Sequence, residues 1–206
     1  MTQINVSNNG KLSVMEAIQS RRTIFKFKPD PIPKDTLEDL LFAGIWAPNH
    51  HRTEPWRFTV IGEDTKLKLA ERYRELQTEK VASKFDKKTR LTEFNLVEIG
   101  ERGYQKFMSK PTIVAVSCIQ DGSEQRQRED YASACCAMLN IQLAGWEQGI
   151  GMQWSTGKIT MEKPTYDLLG INAENEYIIG FYYMGYPEEI PSPKRKPLNQ
   201  VLRWID

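Results

Sequence analysis

The chain of 206 residues has only two histidines and three cysteines, and its 28 Lys+Arg nearly balance 27 Asp+Glu. Each shortage excludes something. Two adjacent histidines, His50 and His51, cannot complete a zinc site without ligands from elsewhere, and no second spaced ligand pair exists. An odd number of cysteines without regular spacing cannot form a disulfide framework. Cys118 lies in the apolar run TIVAVSCI, and Cys135-Cys136 are neighbours whose side chains point apart on a helix, so all three are expected as buried small hydrophobes. A net charge of +1 and a pI near 7.7 provide no global field for nucleic acid or an anionic membrane. Mean hydropathy is −0.54, and no apolar stretch is long enough to span a bilayer. The opening MTQINVSNNGKLS has neither the basic nor the apolar region of a secretory signal, so a cytoplasmic protein is expected.

With 40% hydrophobic and 10% aromatic residues, the chain has enough apolar side chain for one core. A single domain over 1–206 is expected, with 1–12 flexible and 187–206 an extended, proline-rich tail. Ser13-Val14-Met15-Glu16 is a capping box opening a short helix to Ser20, broken by Pro29, Pro31 and Pro33. Leu37, Leu40 and Leu41 mark a second helix over Asp35 to Ala43. A polar turn then leads to a strand from Trp56. Asp64 to Phe107 is densely charged with spaced apolar residues, predicting one or two exposed helices interrupted near Asp86 to Arg90. Ile113 to Cys118 and Tyr177 to Gly185 have the composition of buried strands. Between them, Tyr131 to Gln148 is apolar nearly all round and predicts a helix for the core or an interface, preceded by a polar stretch from Asp121 to Asp130. Gly149 to Gly157 predicts a strand and loop, and Thr160 to Leu169 a short helix stopped by Gly170. The fold class is α+β, with helices outnumbering strands.

Four constellations carry possible chemistry. Arg21-Arg22-Thr23 offers two guanidinium forks and a hydroxyl, a set suited to phosphate, though two arginines also complement a helix C-terminus. Lys194-Arg195-Lys196 is a second basic cluster, which in a proline-rich tail can equally be solvated. His50, His51 and Glu54 form an H-H-x-x-E set, better suited to hydrogen bonding a ligand than to holding a metal alone. Gly149 to Gly157 is glycine-rich but lacks the dinucleotide spacing. No RRM, KH or helix-turn-helix signature accompanies the basic clusters, so neither nucleic acid nor membrane is an expected partner.

Taken in order, these segments resemble the FMN-dependent nitroreductase family. The resemblance spans Ser13 to about Leu198. It rests on Arg21-Arg22-Thr23 after a short helix, on the A-P-x-x-x-x-x-x-P-W-R-F stretch from Ala47 to Phe58, on Glu147 to Trp154, and on Ile179 to Pro187 with Arg195-Lys196-Pro197-Leu198. His50 in the loop is similar to the short-chain NAD(P)H nitroreductase branch, whereas Arg52 and Glu54 stand where many members have Asn and Gln. The resemblance implies a mixed, mostly antiparallel sheet flanked by helices, and an intertwined homodimer with FMN at each interface site. It implies that Arg21 and Thr23 hold the phosphate and ribityl chain with Arg22 beside them, and that Arg195 completes the clamp. His50 would reach the isoalloxazine from the other subunit, with Trp46 nearby, while Trp154, Ser155, Thr156 and Gly157 line the flavin. The implied activity is ping-pong reduction of nitroaromatics, quinones or similar small electron-poor acceptors by NADH or NADPH through flavin N5. No side-chain nucleophile or metal is required, because the cofactor carries the chemistry. The alternative within the family is an FMN-binding protein that stores or breaks down flavin.

Overall fold

A computed structural model describes residues 12–82, 93–192 and 194–205. Local signals set most element boundaries. Helix α1, Val14–Ser20, starts at the expected capping box: the Glu16 amide donates to Ser13 Oγ, and the Ser13 amide donates to the Glu16 carboxylate. An extended, proline-rich connector leads to α2, Lys34–Gly44. After a 3-10 turn at His50–Arg52 come β1, Trp56–Val60, and α3, Glu63–Ala82. Helix α4, Glu93–Met108, follows, so two helices occupy the charged segment. The expected break at Asp86 to Arg90 and the N-terminal residues before 12 lie outside the described residues.

Strand β2, Thr112–Ile119, leads to α5, Glu124–Glu147. That helix begins seven residues before the predicted Tyr131. Ser123 caps it by accepting from the Arg126 amide, which makes the polar stretch the helix's solvated first turns rather than a loop. Strand β3, Gly151–Ser155, is followed by a 3-10 turn at Lys158–Thr160 and α6, Lys163–Leu169. Thr160 therefore belongs to that turn and not to the helix. Pro164 fits in the first turn of α6, where an amide hydrogen is dispensable, and Gly170 ends the helix at φ 65°. Strand β4, Glu176–Gly185, completes the sheet.

The strands run in the order β1-β2-β4-β3, every adjacent pair antiparallel. Among the described residues the one parallel pairing is a bridge between Thr23 and Met152, which lays the Arg21–Phe27 arm along the outer edge of β3. Alternation divides the buried residues between two faces. Val114, Val116, Cys118, Tyr182 and Met184 pack with Leu40, Ala134, Ala137, Met138 and Ile141 of α2 and α5. Ile113, Ala115, Phe181 and Tyr183 pack with Leu69, Leu76, Phe107 and Tyr166 of α3, α4 and α6.

Helix α5 is buried along the sheet and leaves Tyr131 and Leu139 43% and 47% exposed, which agrees with the expectation of a helix for the core or an interface. Cys118 is buried as expected, but Cys135 and Cys136 are only half-buried, Cys136 packing at the margin of the core, which corrects the expectation that all three are buried.

Candidate functional site: an arginine cradle beside an open strand edge

At the end of α1 the chain turns extended at Arg21 and runs beside β3, where the Ile24 amide donates to the Met152 carbonyl at 3.1 Å. Only glycine allows this approach at residue 151. A Cβ there would lie 2.3 Å from Ile24 Cγ1. In an antiparallel ladder a residue's N–H and C=O point to the same side, alternating along the strand. Since Met152 points outward to Ile24, the Trp154 amide and carbonyl also lie on this outer edge, beyond the end of the bridge.

Three of the predicted residues meet here. Arg21, Arg22 and Arg195 line one cavity of about 260 Å³ with Ile18 and Gln19. Arg21 Nη1 donates to Gln142 Oε1 at 2.9 Å; Gln142 Nε2 donates to the Tyr182 hydroxyl at 2.7 Å, which donates to the Met138 carbonyl at 2.7 Å. Arg22 donates to the Gln19 and Arg21 carbonyls. Among the described residues none of the three arginines is paired with a carboxylate. Burial, and then the charge of Arg195, push the Arg21 guanidinium below its ordinary pKa, a direction an anion in the cavity would reverse. Thr23 is exposed at the same edge.

Lys110 also supports this arm. The residue is 3% exposed, and its ammonium donates to the Phe25 carbonyl at 2.9 Å and lies over the Phe27 and Tyr183 rings. Burial, reinforced by Lys106, lowers its pKa to about 8. A lone lysine before a proline gives no sequence signal of such a role, and the same is true of Gln142.

The other predicted residues are placed separately. Trp154 and Ser155 belong to β3, and the Trp154 indole donates to the Ile179 carbonyl at 3.3 Å. It lies against Gly180, where a Cβ would come 2.3 Å from its Nε1. Thr156 follows the strand. Gly157 lines a different cavity, about 610 Å³, with Lys158, Ile159 and the α3 residues Tyr73, Leu76 and Gln77. Beside it, Arg72 makes a two-pronged bond to Glu162 at 2.8 and 2.7 Å, and Lys158 pairs with Glu79 at 2.9 Å, fixing α3 to this loop. Trp46 is 74% exposed in the turn after α2, edge-on to Phe42.

His50 lies in the loop between α2 and β1, anchored to the first half of α5. Asn49 Nδ2 donates to Thr53 Oγ1 at 2.9 Å and Ser133 Oγ at 3.2 Å, and its Oδ1 accepts from the Glu54 amide at 2.9 Å. Thr53 Oγ1 donates to Asp130, a carboxylate only 3% exposed. The carboxylate that joins the histidines is Glu129 rather than Glu54: His50 Nδ1 is 2.9 Å from Glu129 Oε2. Asn49, Thr53, Asp130 and Glu129 were not singled out by the sequence, because their partners come together only when α5 packs against the loop.

A sheet edge with a basic arm laid along it, and three arginines around one cavity with no carboxylate partner among the described residues, mark the site of this α+β protein. The Nitroreductase family model matches residues 18–186. A relative from Bacillus subtilis (strain 168), "Putative NAD(P)H nitroreductase YfhC", is 32% identical over 186 residues, covering 88% of each chain. The chain belongs to the nitroreductase family. Among solved structures, a nitroreductase-like family protein from Bacillus cereus superposes with a TM-score of 0.76 at 28% identity, covering 94% of this chain and 96% of that one. A Desulfovibrio desulfuricans protein solved in complex with FMN shares the fold at a TM-score of 0.68 and 22% identity, covering 94% and 96%. Among the described residues no helix is long and apolar enough to cross a membrane.

Proposed function

We propose that the chain is an FMN-dependent NAD(P)H oxidoreductase acting as a homodimer on nitroaromatics, quinones or similar electron-poor acceptors. The observation that carries this reading is the cradle: three guanidinium groups around one cavity with no carboxylate partner among the described residues. That arrangement is unfavourable until an anion enters, and a phosphate matches the guanidinium forks. Arg21, Arg22 and Arg195 hold the phosphate of FMN, and Thr23 the ribityl chain. The Trp154 amide, on the open edge of β3, supplies a backbone donor toward the ring, and Ser155, Thr156 and Gly157 continue that segment beside it. The chemistry that FMN supplies when bound is two-electron transfer in ping-pong order: hydride from NADH or NADPH to N5, then, once nicotinamide has left, reduction of the acceptor. The chain's part is binding, orientation and electrostatics. Fixed donors and cations around the cofactor favour the added negative charge of its reduced form.

Two features support the dimer. Tyr131, Cys135, Leu139 and Leu143 recur every four residues along α5; Tyr131 stacks on Tyr177 of β4 while Leu139 stays 47% exposed, so the apolar stripe is only partly covered within one chain. His50 meets α5 at Glu129 while Arg21 meets it at Gln142. At 1.5 Å per residue these lie about 20 Å apart along the helix, so His50 and Trp46 serve the flavin of the other subunit rather than their own.

Flavin absorbance after FMN addition, followed by anaerobic stopped-flow mixing with NADH or NADPH, tests the proposal. Rapid bleaching by either nucleotide is expected. A colourless protein that takes up no FMN refutes both flavin readings; a bound flavin that neither nucleotide bleaches favours storage or breakdown instead.

A further inference from the structure

The loop that carries His50 holds a second imidazole in an unusual place. Its backbone is left-handed at His51 (φ 62°), Arg52 (55°) and Glu54 (45°), a conformation that disfavours residues with a Cβ. Asn49, Thr53 and Asp130 hold it there. Adjacent side chains in an extended segment point to opposite sides. Here the His50 and His51 rings are stacked instead, with centroids 3.7 Å apart and planes 28° from parallel. Glu129 approaches them from α5, and one ligand atom from each of the three residues lies within 4.8 Å of the others. They open on a cavity of about 440 Å³.

We propose that His50, His51 and Glu129 bind a divalent transition cation of the class that prefers imidazole nitrogen, Zn²⁺ foremost. Neutral imidazole nitrogen and carboxylate oxygen ligate Zn²⁺ at about 2.0–2.2 Å, which gives a tetrahedron edges of about 3.3 Å. The edge from His50 Nδ1 to Glu129 Oε2 is already 2.9 Å. His51 closes the remaining distance by rotation of an exposed side chain. Three protein ligands leave a fourth position for water, for which the open cavity has room. The other Glu129 oxygen accepts from Gln125 Nε2 at 3.1 Å, the kind of outer bond that orients a ligating carboxylate. One cation opposes the site: Arg126 lines the same cavity. Its guanidinium is 4.0 Å from the buried Asp130 carboxylate behind the cavity, which offsets its charge and leaves Glu129 as the anion facing the metal.

A bound cation would tie His50 to α5 and withhold it from the other subunit's flavin, so Zn²⁺ would slow NAD(P)H oxidation. That consequence rests on the flavin reading above; the site itself does not.

The test titrates Zn²⁺ into the full chain, loaded with FMN and freed of metal by EDTA, in competition with a colorimetric zinc chelator. The wild type is expected to take one Zn²⁺ per chain. His51→Asn, a residue that accepts left-handed backbone, and Glu129→Gln should each weaken binding at least tenfold while circular dichroism and flavin absorbance stay as in the wild type. Failure of the wild type to withdraw Zn²⁺ from the chelator, or equal affinity in both variants, overturns the proposal. If the protein takes up no FMN, the flavin reading fails, and the same titration on the flavin-free chain still decides the metal site.

Discussion

Arg21→Ala should weaken FMN binding and leave the FMN-free protein no less stable, and the two signs together test the cradle. In the wild type Arg21 donates one N–H to Gln142, leaving most of its five donors without a protein partner among the described residues. Its charge is held below its ordinary pKa by burial and by Arg195 and Arg22, so without an anion it is a burden on the fold. Truncation removes that repulsion. Gln142 loses its donor, but it is only half-buried and water can replace the contact. With FMN present, the loss is a charge-assisted hydrogen bond, about 1.5–3 kcal/mol, or roughly tenfold to 150-fold in dissociation constant. Quenching of FMN fluorescence on titration with stripped protein measures the affinity, and thermal melts of the same stripped protein measure the stability. Arg21→Lys, which keeps the charge but not the fork, should fall between. Unchanged FMN affinity in Arg21→Ala would refute the assignment. A drop in FMN-free stability of more than about 1 kcal/mol would show that Arg21 is structural instead.

Lys110 gives a pH test. Its pKa of about 8 in the folded chain against an ordinary 10.5 means that the folded state binds fewer protons between those values, so its penalty is full below pH 8 and is lost as pH rises toward 10.5. At about 1.4 kcal/mol per unit this amounts to about 3 kcal/mol. In urea melts Lys110→Met should be more stable than the wild type at pH 7, and the difference should vanish by pH 10.5; taking the difference cancels Cys118, whose thiol, raised by burial to about 11, lowers the stability of both proteins above pH 9. A constant difference across that range contradicts the buried-charge account. Thr53→Val removes the hydroxyl between Asn49 and buried Asp130 and should cost about 1–3 kcal/mol, with faster hydrogen exchange in residues 50–54; exchange unchanged there would mean the loop is held by other means. Leu139→Glu places a charge in the apolar stripe of α5 and should shift sedimentation from dimer to monomer, while a variant that remains dimeric moves the interface elsewhere.

What the sequence made legible was local. The capping box at Ser13, the prolines at Pro29, Pro31 and Pro33, the β-branched run of β2 and Gly170 each act within a few residues, and the structure has an element boundary at or near each. The start of α5 was hidden because Glu124 to Asp130 is polar on every side, and hydrophobic period cannot mark turns whose contacts, those of Glu129 and Asp130 with the histidine loop, are polar. The convergence of Arg21 with Arg22 and Arg195 came from resemblance and not from spacing, since no periodicity relates residue 21 to residue 195. Gln142, Lys110 and Asp130 were out of reach for a different reason. Their roles are defined by a carbonyl, hydroxyl or guanidinium brought from a distant segment, so nothing in their own neighbourhood distinguishes them from solvated polar residues.

Helix α5 explains why those roles accumulate where they do. It touches both functional regions, with Gln142 bonded to the cradle arginine near its C-terminal end and Glu129, Asp130 and Ser133 bonded to the histidine loop near its N-terminal end. Its buried side lies on the sheet and α2, and the partly covered apolar stripe supplies the proposed dimer contact. A rigid helix fixes the separation of its two ends. In the proposed dimer each copy of α5 would therefore hold the phosphate cradle of one flavin and, about 20 Å along the helix, the ring-contacting loop of the other. Displacing one turn of α5 would disturb two flavins in different ways, loosening the anchor of one and the contact loop of its neighbour. Substitutions along the stripe should thus change flavin retention before they unfold the monomer, because the cradle needs only its own chain while the loop needs the partner.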